Sequence, residues 1–119
     1  MKGLGELERH IMDVLWAHSE ALTAREVGKA MADRDLAPTT VMTVLDRLTR
    51  KGFLRRERDG RAWRYHPAES RDAYVAELML GALDLTGDRN AALAHFVRSV
   101  SGPEAEALRR ALSGLHSEP

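Results

Sequence analysis

A mainly α-helical chain carrying one small β-hairpin is the fold class that three observations predict. Apolar residues recur at helical spacing in three segments before Gly52. An Asp59-Gly60 pair then separates two strand-like runs. Apolar helical faces return in the stretch that begins at Arg71. At 119 residues the chain holds one domain, or one small domain with an appendage.

The first helix is predicted from about Gly5 to His18, with Leu4, Leu7, Ile11, Val14 and Leu15 on one face. Thr23 and Glu26 form a capping box, in which a hydroxyl and a carboxylate satisfy free backbone N–H groups. A second helix therefore starts near Ala24, buries Val27, Ala30 and Met31, and ends around Ala32. Pro38 suits the first turn of a third helix, where its missing N–H costs nothing. Gly52 suits the position just past that helix, where a left-handed backbone is needed. Val41, Val44, Leu45 and Leu48 make the apolar stripe. Thr39, Thr43, Asp46 and Arg50 point the opposite way, flanked by Thr40, Met42 and Arg47.

The hairpin follows at once. A two-residue turn at Asp59-Gly60 places Leu54 opposite Tyr65, Arg56 opposite Trp63 and Arg55 opposite Arg64. Leu54 and Tyr65 then lie on the core side, and Arg56 reaches the Trp63 ring face. Arg55 and Arg64, directly opposed, repel each other unless something negative lies between them. Beyond Pro67, Tyr74, Val75, Leu78, Met79, Ala82 and Leu83 share one broad helical face, which Gly87 ends. Leu93, Phe96, Val97 and Val100 mark a further helix. A capping box at Ser101 and Glu104 opens another, with Leu108, Leu112 and Leu115 on it. These helices are too few to enclose a core of their own, so their apolar faces imply pairing with a second copy. The residues expected at that contact are Tyr74, Leu78, Leu93, Phe96, Val97, Leu108 and Leu112.

Three helices followed by a basic hairpin predict a winged helix-turn-helix domain at 1–68, with a helical dimerisation region at 69–119. Charge supports the division. Net charge is zero overall, yet residues 34–66 hold nine basic and four acidic groups. The third helix is expected to enter the major groove, where threonine methyls meet thymine methyls and hydroxyls or arginines bond base edges or phosphates. The hairpin adds phosphate contacts from Arg55, Arg58, Arg61 and Arg64. Asp46 either accepts from a cytosine amino group or pairs with Arg50 or Arg47. A protein-interaction module, whose basic hairpin meets an acidic partner, is the rival reading. A repressor released by a small molecule is another.

Other classes find less support. With no cysteine, disulfides, thiolate metal sites and cysteine catalysis are excluded. His10 and His18 stand two helical turns apart without a third ligand nearby, and no metal or other cofactor is expected. No nucleophile elbow or glycine-rich phosphate loop is present, and helix-surface hydroxyls without a positioned base are inert, so no enzyme is expected. No stretch approaches the roughly 20 apolar residues of a membrane span, and "MKGLGELERH" lacks the apolar core of a secretion signal. A cytoplasmic location is the expectation.

The stretches "LGELERHIMDVLW", "TTVMTVLDRLTRKGF", "RDGRAWRYHP" and "ALAHFVRSVSGPEAEALRRAL" cover nearly the whole chain. In them the sequence resembles the BlaI/MecI penicillinase-repressor family, a branch of bacterial winged-helix repressors that also includes the CopY copper repressors. The resemblance implies a homodimer that binds dyad operators, often with TACA and TGTA half-site cores, and represses β-lactamase and related genes. It places Thr39, Thr40, Thr43, Arg47 and Arg50 against the operator, and Arg61, Trp63 and Arg64 in the wing. Staphylococcal-type members carry a basic residue where this chain has Met42, and threonine where it has Asp46. In the best-known members a membrane-bound sensor protease triggers cleavage between Asn and Phe in a dimerisation helix. The corresponding pair here is His95-Phe96. The CopY branch senses copper through cysteines, which this chain lacks.

Overall fold

The computed structural model describes residues 3–116, and side chains as far as residue 115. The chain divides into two compact units, Met1–Leu78 and Met79–Pro119. The first contains α1 (Glu6–Ala17), β1 (Leu22–Thr23), α2 (Ala24–Ala30), α3 (Pro38–Arg50), β2 (Leu54–Asp59) and β3 (Ala62–Pro67). The division between the units falls inside α4 (Arg71–Ala82). The second unit continues with a 3₁₀ turn at Leu83–Leu85, then α5 (Arg89–Ser99) and α6 (Pro103–His116).

The core of the first unit is built by the apolar stripes of α1–α3. Ile11, Met12, Leu15, Val27, Met31, Val41, Val44, Leu45 and Leu48 are buried together with Leu54 and Tyr65 of the sheet. Leu4, Leu7 and Val14 pack against this cluster from its edge. Ala30, expected in the core, is exposed. Val27 and Met31 already fill the inner side of a helix only seven residues long. Helices α1 and α2 start where the sequence marks them. Glu26 accepts from the Thr23 N–H at 2.9 Å, and Thr23 Oγ1 accepts from the Glu26 N–H at 3.2 Å. At the end of α3, the Phe53 N–H donates to the Leu48 carbonyl and Gly52 takes φ +90°. That geometry is a Schellman closure with glycine in the left-handed position.

The hairpin register differs from expectation by two residues. The ladder pairs Leu54 with Pro67, Arg56 with Tyr65, Glu57 with Arg64 and Arg58 with Trp63. The turn is centred on Gly60-Arg61, with positive φ at Gly60 and not at Asp59 or Arg61. A type II′ turn needs positive φ only at its first central residue, which glycine supplies without strain. Centring the turn on Asp59-Gly60 as type I′ would push Asp59 into that region as well. Because the slip is two residues, each side chain keeps its face, so Leu54 and Tyr65 are buried as expected. Arg55 and Arg64 are not opposed. β1, only Leu22 and the capping residue Thr23, is too short to leave a period in the sequence and joins β3 as a third antiparallel strand.

α4 begins by packing on the first unit. The Tyr74 ring lies 5.6 Å from that of Trp16 and 5.7 Å, edge-on, from that of Phe53. Trp16 Nε1 donates to the Glu69 carbonyl at 3.0 Å, and Arg71 pairs with Asp13 at 3.3 Å. Tyr74 therefore does not lie on the open apolar face where the sequence placed it. In the second unit, the Asp88 side chain caps α5 by accepting from the Ala91 N–H. The capping box expected at Ser101 and Glu104 does not form. Pro103 occupies the first turn of α6, and the Gly102 carbonyl accepts the Glu106 N–H.

One buried charge organises the first unit. Glu8 is 5 % exposed. It accepts from the Gly5 N–H at 2.8 Å and from Lys51 Nζ at 3.0 and 3.1 Å, with Arg47 at 3.9 Å. It thereby ties the start of α1 to the end of α3. Burial alone raises the Glu8 carboxyl pKa, but the Gly5 N–H, Lys51 and Arg47 outweigh it and hold the group below its ordinary 4.5. A depressed folded value means stability that is complete above about pH 4.5 and lost as pH falls through that lower value. Glu8→Gln is expected to lower stability at neutral pH and to flatten the acid limb. Urea midpoints for the two proteins should converge as pH falls through the lowered folded-state value, because the wild-type carboxylate is then neutral too.

Candidate nucleic-acid interface

The outward side of α3 is polar because its inward side is taken by Val41, Val44, Leu45 and Leu48. Thr39, Thr43, Asp46, Arg47 and Arg50 are exposed, and Thr40 is half-buried. Thr43 Oγ1 donates to the Thr39 carbonyl at 2.8 Å, so the hydroxyl offers its surroundings only an acceptor and a methyl group. Met42, 51 % exposed, adds an apolar side chain beside this ridge. Two shallow clefts flank α3. Leu7, Thr39, Thr40, Thr43, Val44 and Arg47 line one, and Asp46, Thr49, Arg50 and Arg56 line the other.

The wing stands next to this ridge. Arg56 pairs with Asp46 at 3.4 Å and sits 4.2 Å above the Trp63 ring, where Arg58 also lies, at 4.8 Å. The Arg56–Trp63 contact matches expectation, although the two are diagonal rather than opposed. Asp46 forms an ion pair, as one of its two readings held, but with Arg56 of the wing rather than with Arg47 or Arg50. Arg47 is drawn the other way, toward Glu8. Among the described residues, Arg50, Arg55, Arg58 and Arg61 have no carboxylate partner. These cations lie on α3 (Arg50), on β2 (Arg55 and Arg58) and in the hairpin turn (Arg61).

Arg64 differs from them. Its Nε donates to Asp59 Oδ2 at 2.6 Å, and one terminal nitrogen donates to the Ala21 carbonyl at 3.1 Å and Glu26 Oε1 at 3.2 Å. The Asp59 hydrogen bond chiefly raises the Arg64 pKa. The Thr23 N–H chiefly lowers that of Glu26, with Arg64 assisting. Sequence reasoning grouped Arg64 with the free wing arginines and missed both carboxylates. It also missed Glu8, although Glu8, Ile11, Met12 and Leu15 share one helical stripe.

In the second unit Leu93, Phe96, Val97 and Leu112 are exposed and Leu108 is half-buried, as is Leu78 at the end of the first. Met79, Leu80 and Leu115 add to the exposed apolar surface. His95 and Phe96 lie within α5, where the His95 carbonyl accepts from Ser99 Oγ and the Phe96 carbonyl from the Val100 N–H. Among the described residues, no helix is long and apolar enough to cross a membrane.

A three-helix unit with a paired basic wing, and with hydroxyl and guanidinium groups on the outer side of α3, defines a winged-helix protein of the transcription-regulator class. The chain belongs to the penicillinase repressor family, whose profile matches residues 4–114. It is 52 % identical to the transcriptional regulator BlaI of Mycobacterium tuberculosis over 118 residues, 96 % of this chain and 86 % of that one. It is 29 % identical to the penicillinase repressor of Bacillus licheniformis over 72 residues, 60 % of this chain and 56 % of that protein. Among solved structures, the DNA-binding domain of the repressor BlaI matches with a TM-score of 0.54 and 32 % identity, covering 62 % of this chain and 94 % of that domain. A MarR family protein from Bacillus stearothermophilus shares the fold over 97 % of this chain and 74 % of its own, with a TM-score of 0.53 and 24 % identity.

Proposed function

We propose that this chain is a homodimeric transcriptional repressor that binds palindromic operator DNA with TACA/TGTA-type half-sites. In this reading residues 1–68 hold the duplex and residues 69–119 hold the second copy. The observation that carries the reading is the exposed ridge of Thr39, Thr43 and Arg50 together with the wing cations Arg55 and Arg61, which have no carboxylate partner among the described residues. Such a surface suits base edges in a major groove flanked by phosphates. Thr40, Arg47 and Trp63 complete it, Trp63 by holding Arg56 and Arg58 in place. The partner surface is the apolar set Leu93, Phe96, Val97, Leu108 and Leu112 of the second unit, and Leu78 of the first unit is assigned to the same role. Tyr74 supports it indirectly, by fixing the start of α4. Two copies on twofold DNA dock in successive major grooves about 34 Å apart. The regulated genes are β-lactamase or cell-envelope-stress genes, and the protein acts in the cytoplasm, where those operators lie. The inducing signal is proteolysis, with His95-Phe96 as the candidate bond once a membrane sensor protease is activated, or another inducer. Because that peptide is helical, α5 must open before a protease reads it as an extended strand.

Selection of bound sites from random duplexes tests the reading directly. On the selected duplex, log K should fall linearly with log salt. Arg50→Ala and Arg55→Ala should each make that slope shallower by about one unit, and Glu20→Ala should leave it unchanged. A flat salt dependence, or no enriched duplex, would reject DNA as the partner.

A further inference from the structure

Arg64 stands where three segments meet. Its side chain binds Asp59 at the tip of β2, Glu26 in the first turn of α2 and the Ala21 carbonyl before β1. Its backbone pairs with Thr23, the residue that caps α2. The wing tip is thus tied to the helix that precedes α3 by one guanidinium. That guanidinium faces two carboxylates, so the cluster carries a net negative charge, which opposes direct phosphate binding. The planar fork of arginine bonds several acceptors in fixed directions, which an ammonium group does not reproduce.

We propose that Arg64 is a positioning residue for DNA binding: by clamping Asp59 and Glu26 it fixes the wing relative to α2, and Arg55 and Arg61 make the phosphate contacts. This rests on the DNA-binding reading above and corrects the place of Arg64 within it. It also makes Asp59 and Glu26, two acids beside a nucleic-acid surface, favourable to binding.

The sign of one substitution decides the matter. If Arg64 touched phosphate, Asp59 and Glu26 would compete for it, and removing either would tighten binding. If Arg64 positions the wing, removing them loosens it. The full-length protein is titrated with its selected duplex at fixed salt. Asp59→Asn is expected to weaken binding about five- to tenfold, although it removes a negative charge. Glu26→Gln, which keeps the capping-box geometry, should act in the same direction. Arg64→Lys should behave like Asp59→Asn despite its retained charge. In an Arg64→Ala background, Asp59→Asn should cause no further loss, because the clamp is already open. Circular dichroism and thermal melts establish that each variant is folded. Unchanged or tighter binding by a folded Asp59→Asn protein would overturn the proposal. Failure of the wild-type protein to bind any duplex would instead remove the DNA-binding reading on which it depends.

Discussion

Phe96→Asp is expected to lower affinity for a twofold operator by about 100-fold or more, while the winged-helix unit stays folded. Phe96 is 44 % exposed on α5, beside exposed Leu93 and Val97, and Leu112 of α6 is exposed as well. This is more apolar side chain than a short stretch of a monomeric surface ordinarily leaves open. A second copy covering it would place Phe96 in a dry contact, where an aspartate is costly to desolvate. The loss in DNA affinity then arises without any change in the groups that touch DNA. One winged helix holds a half-site weakly, and the partner contributes through effective concentration alone. Sedimentation equilibrium should show the variant as a monomer. Its affinity for a duplex with a single half-site should match that of the wild type. Phe96→Leu, which keeps the surface apolar, should remain dimeric. A monomeric variant that still holds the full operator at wild-type affinity would defeat the link between pairing and binding.

The parts of this fold that were legible in the sequence are those where one residue type has one physical use. Pro38 and Gly52 bracket α3 because one fixes φ and the other accepts φ +90°. Thr23 and Glu26 mark α2 because their two hydrogen bonds form only at a helix start. The apolar stripes of α1 and α3 were read from spacing, and the ridge of Thr39, Thr43 and Arg50 followed as their complement. Where one residue type serves several uses, the reading failed. Asp59-Gly60 fits the centre of one turn or the entry to another, and a slip of two preserves every face. The arginines of the wing look alike in sequence. Arg64 is separated from Arg61 by contacts to Glu26, 38 positions away, and to Asp59 across the hairpin. Asp46 likewise finds Arg56 ten positions on rather than a neighbour on its own helix. Charge partners chosen by tertiary structure leave no local period, whereas apolar faces do.

Leu45→Ala is expected to destabilise the protein by about 3 kcal/mol, within the range of 2–5 typical of buried leucines. Leu45 is fully buried, in the cluster that joins Ile11, Met12 and Leu15 of α1 with Val27 of α2 and Leu48 of α3. These neighbours come from three helices held by one another, so they close only partly over a removed side chain, and the cavity adds to the lost transfer energy. A domain with a net stability of about 5–15 kcal/mol loses a large share of it this way. Thr43→Ala, on the opposite side of the same helix, removes an exposed hydroxyl and should change stability by no more than about 0.5 kcal/mol. In DNA binding the order reverses. At a temperature where Leu45→Ala is still folded, its affinity for the selected duplex should equal that of the wild type, whereas Thr43→Ala should weaken binding. Urea denaturation with an unchanged m-value, paired with titrations of the same duplex, measures both quantities. α3 would then carry two separable duties on its two sides, with Leu45 holding the helix in place and Thr43 meeting what it binds. A Leu45→Ala protein of wild-type stability would show that α3 is not held by this cluster, and the outward direction of its threonines and arginines would lose its physical basis.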